Sequence, residues 1–263
     1  MRFWATSIRK IRGKISSLRS ASELAGLSVV LVSTRNPLNI GAVARAMSNF
    51  GFSSLRLVNP FEPSFREARS AVGATELLAS AQEYTSIPGA VADCSLVVGT
   101  TALRNREPRH PVHRLENASP LIRSHLKAGR VALLFGSEKV GLSNHDLSHC
   151  HWLLHIPTRE EHVSMNLGQA VAVCLYDLVQ SREVIQAISQ PLPQEARSAA
   201  TADLDRLTAL WLETLHASGY IKPGTEAAVE EKLRRMLHRL NLPAQDAQVW
   251  LGIMRQILWK LKH

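Results

Sequence analysis

The stretch LSVVLVSTRNPLNIGAVAR, residues 27–45, contains the passage from a strand to a helix that decides the fold. Its first six residues, Leu27–Val32, form a short apolar run rich in β-branched side chains, which predicts a buried strand. Ser33–Pro37 is a polar turn. Ala42–Phe50 is then rich in helix formers and is followed by Gly51, a favourable residue for ending a helix.

The same alternation continues along the chain. Further apolar runs predict strands at Leu55–Val58, Ser95–Thr100, Val131–Phe135 and Trp152–Ile156. The segments between them have helical composition, notably Glu67–Gln82, Pro120–Ala128 and an amphipathic segment from Asn166 to about Val184. Strands that alternate with helices predict an α/β fold built on a mainly parallel sheet.

The last third of the sequence has a different organisation. Ser189–Ala200 contains two prolines and several alanines and is interpreted as a linker. Three helical segments follow, Asp203–Ser218, Thr225–Leu240 and Pro243–Leu261, separated by glycine, proline and asparagine. We therefore predict a basic, flexible extension (1–26), an α/β domain (27–185), a linker (186–200) and a helical RNA-binding domain (201–263).

Composition limits the possible partners and compartment. The net charge of +9 favours a polyanionic partner, either nucleic acid or an anionic membrane surface. No apolar stretch approaches the roughly 20 residues of a membrane span, so we predict no membrane segment. Residues 1–26 lack the apolar core of a secretory signal, although a mitochondrial transit peptide has a similar composition. Three widely spaced cysteines, Cys94, Cys150 and Cys174, are typical of the reducing cytoplasm.

Two familiar sites are disfavoured by their incomplete motifs. Gly136 and Gly141 have the spacing of the two P-loop glycines, but Leu142 and Ser143 follow, so the phosphate-binding lysine is missing. The group of His145, His149, Cys150 and His151 has no second cluster with ligand spacing, and we therefore predict no metal site.

Polar residues recur at three predicted strand ends, where open α/β sheets bind their ligands. The first group is Asn39 and Arg45, the second is Glu138 in a loop between two glycines, and the third is Ser164 and Asn166.

The three stretches that carry these residues are Asn39-Ile-Gly…Arg45, Phe135-Gly136-x-Glu138-x-x-Gly141-Leu142 and Ile156-Pro157…Ser164-x-Asn166-Leu167. In order and spacing they resemble the three signature motifs of the SPOUT (TrmH-like) RNA 2′-O-methyltransferases. The intervening Asp93-Cys94, Val98–Ala102 and Cys150-His151 narrow the resemblance to a tRNA-methylating branch of that family. It covers about residues 27–260.

The resemblance implies a parallel-sheet domain with a deep trefoil knot, an obligate homodimer with active sites at the interface, and S-adenosylmethionine as methyl donor. The implied substrate is tRNA, methylated at the ribose of cytidine or uridine at position 32, in the anticodon loop. Two alternatives stay open: the same chemistry on ribosomal RNA, and a catalytically inactive RNA-binding protein on the SPOUT scaffold.

The resemblance also implies roles for individual residues. Those that match cofactor-contacting positions are Thr100, Thr101, Ala102, Gly136, Ile156, Val163, Ser164 and Met165. Those that match the catalytic constellation are Asn39, Arg45, Glu138, Ser164 and Asn166. The family's arginine is commonly assigned as the base. Because guanidinium groups stay protonated in proteins, the alternative is that Arg45 stabilises an alkoxide or binds a phosphate, with Glu138 orienting it through an ion pair; the residues leave both roles open. Ser137 and Met165 depart from the family's usual Arg and Leu.

Basic residues crowd one stretch interrupted by prolines. Arg104, Arg106, Arg109 and Arg114 are candidate contacts for RNA phosphates, and a solvated basic loop is the alternative. In the tail, Arg234 and Arg235 follow Glu230 and Glu231 by four residues, which favours ordinary ion pairs along a helix.

Overall fold

The computed structural model describes residues 25–60, 73–103, 108–159, 161, 164–180 and 198–263. The strands in this part of the chain are β1 (Leu27–Val32), β2 (Ser54–Val58), β3 (Gln82–Tyr84), β4 (Cys94–Thr101), β5 (Val112–Arg114), β6 (Arg130–Phe135) and β7 (Trp152–His155). The helices are α1 (Pro37–Phe50), α2 (Thr75–Ala79), α3 (Ile87–Val91), α4 (Leu115–Leu126), α5 (Asn144–Leu147), α6 (Leu167–Gln180), α7 (Thr201–Ala217), α8 (Glu226–Arg239) and α9 (Ala244–Lys262).

The strands form one sheet in the order β3-β2-β1-β6-β4-β7-β5, and every neighbouring pair is parallel. The predicted α/β fold with a parallel sheet is therefore confirmed. Because the strands run in one direction, the carboxyl ends of β1, β6, β4 and β7 lie next to one another at one edge of the sheet. The trefoil knot stays a prediction.

Both faces of the sheet are buried, as the apolar character of the strands predicts for a parallel sheet. In β1, Val29 and Leu31 join the core beneath α1, α4 and α6, whereas Val30 and Val32 face the opposite core, which contains α3. The pleat thus divides one apolar run between two cores.

Two parts of the sheet differ from the prediction. The predicted helix Glu67–Gln82 lies partly outside the described residues; its described part holds the short helix α2, and Gln82 begins β3. Strand β5 was not predicted. Each of these strands has three residues, lies at an edge of the sheet and lacks a fully buried residue, so neither carries an apolar pattern.

The three predicted C-terminal helices are present, each with ends within two residues of the predicted ones. They share a small core of Leu207, Leu237, Leu251 and Met254. They also contact the sheet, since the Thr201 hydroxyl donates a hydrogen bond to the Cys94 carbonyl at 2.7 Å. The predicted linker lies mostly outside the described residues, and the division into domains stays a prediction.

No helix in the described ranges is long and apolar enough to cross a membrane.

A cluster of buried histidines lies where α8 meets the sheet. The rings of His151 and His238 are 4.8 Å apart, and the His151 Nδ1 atom accepts the Val97 N–H at 3.1 Å. Burial lowers the pKa of His110 and of His151 to about 4, that of His149 to about 3, and that of His238 well below its ordinary value. Beside them, Arg234 pairs with Glu230 and donates to the Ser148 hydroxyl at 3.2 Å. The interface therefore contains neutral imidazoles at pH 7.

Replacing His110 with leucine is expected to reduce the acid sensitivity of the fold. Both of its ring nitrogens are buried without a hydrogen-bond partner in the described part of the chain. Its pKa is about 4 in the fold, below the ordinary 6.5, so below pH 6.5 the unfolded chain takes up a proton that the folded chain cannot. The free energy of unfolding then falls as the pH is lowered from 6.5 to about 4.

Denaturant unfolding of both proteins at pH 7, 6 and 5 measures this slope. His110→Leu is expected to reduce it by at most about 1.4 kcal/mol per pH unit, the limit for one proton. Asp205, whose pKa burial raises to about 6, changes stability in the opposite sense, but it is common to both proteins and cancels in the comparison. The exposed His216→Gln is the control. Equal slopes in wild type and His110→Leu would contradict the prediction.

Candidate active site

A cavity of about 500 Å³ opens at the carboxyl edge of the sheet, beside the ends of β6, β4 and β7. Seven of the eight residues predicted to contact the cofactor line it, namely Thr100, Thr101, Ala102, Gly136, Ile156, Ser164 and Met165. The eighth, Val163, lies outside the described residues. Residues far apart in the sequence thus meet around one space, as the strand order requires.

A chain of side-chain hydrogen bonds joins the three motifs beside this cavity. The Asn39 amide nitrogen donates to a carboxylate oxygen of Glu138 at 2.9 Å, and the Asn166 amide nitrogen donates to the Asn39 amide oxygen at 2.9 Å. The Asn166 oxygen in turn accepts the Gly168 N–H at 2.9 Å, at the start of α6. Asn39 thus acts as donor to one motif and acceptor from the other, which fixes the orientation of its amide.

Local sequence explains where Asn39 lies. The Asn36 side chain accepts the Leu38 N–H at 2.9 Å and begins α1, with Pro37 in its first turn. Asn39 is therefore the third residue of the helix. Helix α6 packs closely on α1. A Cβ atom built on Gly168 would lie only 2.7 Å from that of Ala42, so this approach requires glycine. A glycine here lets the loop that carries Asn166 approach Asn39.

The loop after β6 is closed by its two glycines. A Cβ atom on Gly136 would lie 2.0 Å from the Gly141 carbonyl carbon, so only glycine allows this approach of two backbone segments. The Gly141 N–H donates to the Ser137 carbonyl at 2.9 Å, and Gly141 has a φ of 67°, in the left-handed region. The loop consequently holds Ser137, Glu138 and Lys139 at the cavity wall.

The loop after β4 is tied to its neighbour. The Thr100 hydroxyl donates to the Leu134 carbonyl in β6 at 2.9 Å, and the Thr101 hydroxyl oxygen accepts the Leu103 N–H at 3.3 Å. Leu103 has a φ of 55°, an uncommon conformation for a residue with a branched side chain. Strained backbone of this kind is concentrated at functional sites.

Arg45 is not in this group. It is exposed on α1, six residues beyond Asn39, and it does not line the cavity. Within the described residues of one chain, Glu138 accepts the Asn39 amide and no ion pair joins it to Arg45, so the predicted pair is not formed there.

The predicted basic contacts have mixed outcomes. Arg109 and Arg114 are exposed, and Arg114 pairs with Glu116 at 2.6 Å; Arg104 and Arg106 lie outside the described residues. In the tail, Arg234 pairs with Glu230, and Arg235 pairs with Glu231 at 3.1 Å, which confirms the predicted helical ion pairs.

Several cavity residues were not predicted, among them Leu103, Lys139, Thr158 and Ala170. Ala170 follows Asn166 by one helical turn, so it could have been found from its spacing to a predicted residue. No group of three or more His, Cys, Asp or Glu in the described part of the chain has an arrangement that could hold a metal ion.

Comparisons with known proteins agree with the fold and the motifs. Residues 26–176 match the model of the SpoU rRNA Methylase family. The chain is 36% identical over 238 residues to the tRNA (cytidine/uridine-2′-O-)-methyltransferase TrmJ of Pectobacterium atrosepticum, covering 89% of this chain and 97% of that protein. The Escherichia coli protein of the same name is 34% identical, over 89% of this chain and 96% of its own length. The crystal structure of TrmJ from Z. mobilis ZM4 is similar with a TM-score of 0.76 and 28% identity, covering 88% and 98% of the two chains.

Replacing Gly136 with alanine is expected to disrupt the cavity. The added methyl group must displace the Gly141 backbone, so we expect S-adenosylhomocysteine, a stable probe of the implied cofactor site, to bind about tenfold more weakly or worse. Titration calorimetry measures this affinity. The matched control is Gly252→Ala on α9, where a Cβ atom meets nothing within 4 Å. Unchanged affinity in Gly136→Ala would show that the loop does not shape the binding site.

Proposed function

Because the chain belongs to the SpoU methylase family, we propose that it is an S-adenosylmethionine-dependent tRNA (cytidine/uridine-2′-O-)-methyltransferase. Similarity to the TrmJ relatives over 89% of the chain supports this substrate. The observation that carries the proposal is the Glu138–Asn39–Asn166 chain, because it joins all three signature motifs beside one cavity. We place the reaction at position 32 of the anticodon loop on the resemblance of the motifs alone.

The cavity suits S-adenosylmethionine. Its volume of about 500 Å³ lies within the usual range for small-molecule sites, roughly 300–1,000 Å³. Its wall combines loop backbone at Gly136 with apolar side chains at Leu154, Ile156 and Met165. This mixture of exposed backbone groups and apolar surface fits a nucleoside with an aliphatic sulfonium. When bound, that group supplies an electrophilic methyl; Thr100–Ala102, Gly136, Ile156 and Val163–Met165 would hold it.

The polar residues would position and polarise the ribose. Asn39 and Asn166 are held in one orientation by their shared hydrogen bond, so they form a preorganised edge of the site. Ser164 is exposed at the cavity wall, where its hydroxyl can donate to or accept from the 2′-hydroxyl. Arg45 would act as a cation on the developing alkoxide or on a neighbouring phosphate, since guanidinium groups remain charged in proteins.

We also propose that the enzyme is a homodimer with its active sites at the subunit interface. The position of Arg45 supports this, because within one chain it lies outside the cavity on an exposed helix surface. A second copy is one means of bringing this cation to the ribose.

The net charge of +9 and the exposed Arg109 and Arg114 support binding to RNA phosphates, to which Arg104 and Arg106 would contribute. The helical segment 201–263 would help to hold the tRNA.

Ribosomal RNA is the second candidate substrate, favoured by the name of the matching family. All three cysteines are free and buried, which is consistent with the cytoplasm as the site of action.

Methyl transfer from radiolabelled S-adenosylmethionine to purified tRNA, and separately to ribosomal RNA, tests this function, with the modified nucleosides identified by mass spectrometry. We expect 2′-O-methylcytidine or 2′-O-methyluridine in tRNA. Arg45→Ala is expected to lower the rate by about 10²- to 10³-fold, as for loss of one charge-stabilising group. Arg45→Lys, which keeps the cation, is expected to retain part of the activity.

The control is Lys127→Ala. Lys127 is an exposed cation just after α4, near the amino ends of the strands and away from the cavity. Label found only in ribosomal RNA would discard the tRNA assignment and keep the chemistry. No label in either RNA would favour an inactive scaffold.

A further inference from the structure

The cavity wall contains one cation at Lys139. Among the described residues that line the cavity, Glu138 and Lys139 are the only charged ones, and they are adjacent in the loop after β6. The Glu138 carboxylate is engaged by the Asn39 amide at 2.9 Å. Lys139 is exposed and forms no hydrogen bond or ion pair with any residue that the structure describes. Its ammonium group is therefore available to an anionic ligand.

The backbone of Lys139 is fixed although its side chain is free. The loop is closed by the Gly141–Ser137 hydrogen bond of 2.9 Å, by the close contact of Gly136 with Gly141, and by the attachment of Glu138 to α1. A cation on a fixed loop loses less conformational freedom on binding than one on a flexible segment. The same contacts that shape the cavity thus keep the Lys139 backbone at its wall, within reach of a ligand bound there.

We propose that Lys139 binds the carboxylate of the methionine moiety of S-adenosylmethionine and so selects against decarboxylated forms of this cofactor. The inference rests on the proposed function. The carboxylate is the single anionic group of this cofactor, and an ammonium–carboxylate hydrogen bond is among the stronger ones available. Glu138 offsets the positive charges of the sulfonium and amino groups, so the two adjacent charged residues complement a ligand that carries both signs.

An RNA phosphate is the competing partner for the same ammonium group. The position of Lys139 favours the cofactor, because it shares the cavity wall with Gly136, Ile156 and Met165, all matched to cofactor contacts. The exposed Arg109 and Arg114, the candidate phosphate contacts in the described part of the chain, do not line this cavity.

A thermodynamic cycle tests the pairing. Titration calorimetry measures binding of S-adenosylhomocysteine and of its decarboxylated analogue to wild type, Lys139→Met and Lys139→Arg. Methionine keeps the length and apolar stem of lysine without the charge. We expect Lys139→Met to weaken binding of S-adenosylhomocysteine by about 3- to 30-fold, allowing for solvent screening, and to leave the analogue unchanged. Lys139→Arg is expected to restore most of the discrimination between the two ligands.

The matched control is Lys127→Met, which removes an exposed lysine at the opposite edge of the sheet and should bind both ligands as wild type does. Equal weakening of both ligands by Lys139→Met would overturn the pairing and assign Lys139 to the folding of the loop. Unchanged binding of both ligands, with lower tRNA affinity in a filter-binding assay, would assign it to phosphate and also overturn the pairing. A wild type that binds neither ligand would overturn the proposed function itself.

Discussion

The site depends on one short chain of hydrogen bonds, from Glu138 through Asn39 to Asn166. Its members come from the loop after β6, from the first turn of α1 and from the residue before α6. Each bond is solvent-accessible, and a typical intramolecular hydrogen bond contributes only about 1 kcal/mol. The importance of the chain is therefore geometric. Since the Asn39 amide donates on one side and accepts on the other, one orientation satisfies both neighbours, and the three loops keep one relative position.

This geometry is possible because the backbone segments approach closely at two glycines. Gly136 lets the β6 loop fold back on Gly141, and Gly168 lets α6 pack against Ala42 of α1. A larger residue at position 136 would displace the loop that carries Glu138. A larger residue at position 168 would displace the start of α6 and with it Asn166. Either change would move a partner of Asn39 away from it. The glycines and the hydrogen-bond chain thus act together. The glycines bring the loops within reach of one another, and the hydrogen bonds set the orientation of the loops.

The sequence predicted the parts of this structure that repeat a physical pattern. The five central strands were found because burial on both faces makes them continuous apolar runs. The edge strands β3 and β5 were missed, since three mostly exposed residues leave no such run. The cavity residues were predicted mainly through the resemblance of three motifs, and seven of eight meet at one cavity. Lys139 was missed because a charged residue beside a motif has no periodicity that separates it from a solvated loop residue.

Arg45 shows what helical spacing implies for the assembled site. Six residues correspond to about 600° of rotation and about 9 Å of rise, so Arg45 and Asn39 cannot project from the same side of α1. The absence of Arg45 from the cavity is consequently a property of the helix and not of a local rearrangement. On the proposed function, a single chain would supply the wall that holds the cofactor and the amides that position a ribose, whereas Arg45 is exposed outside the cavity. The proposed catalytic arrangement would therefore be completed between surfaces, either when RNA spans from the cavity to an arginine on α1 or when a second copy supplies that arginine. In both cases a small molecule bound in the cavity would not meet the cation until the macromolecular partner is in place.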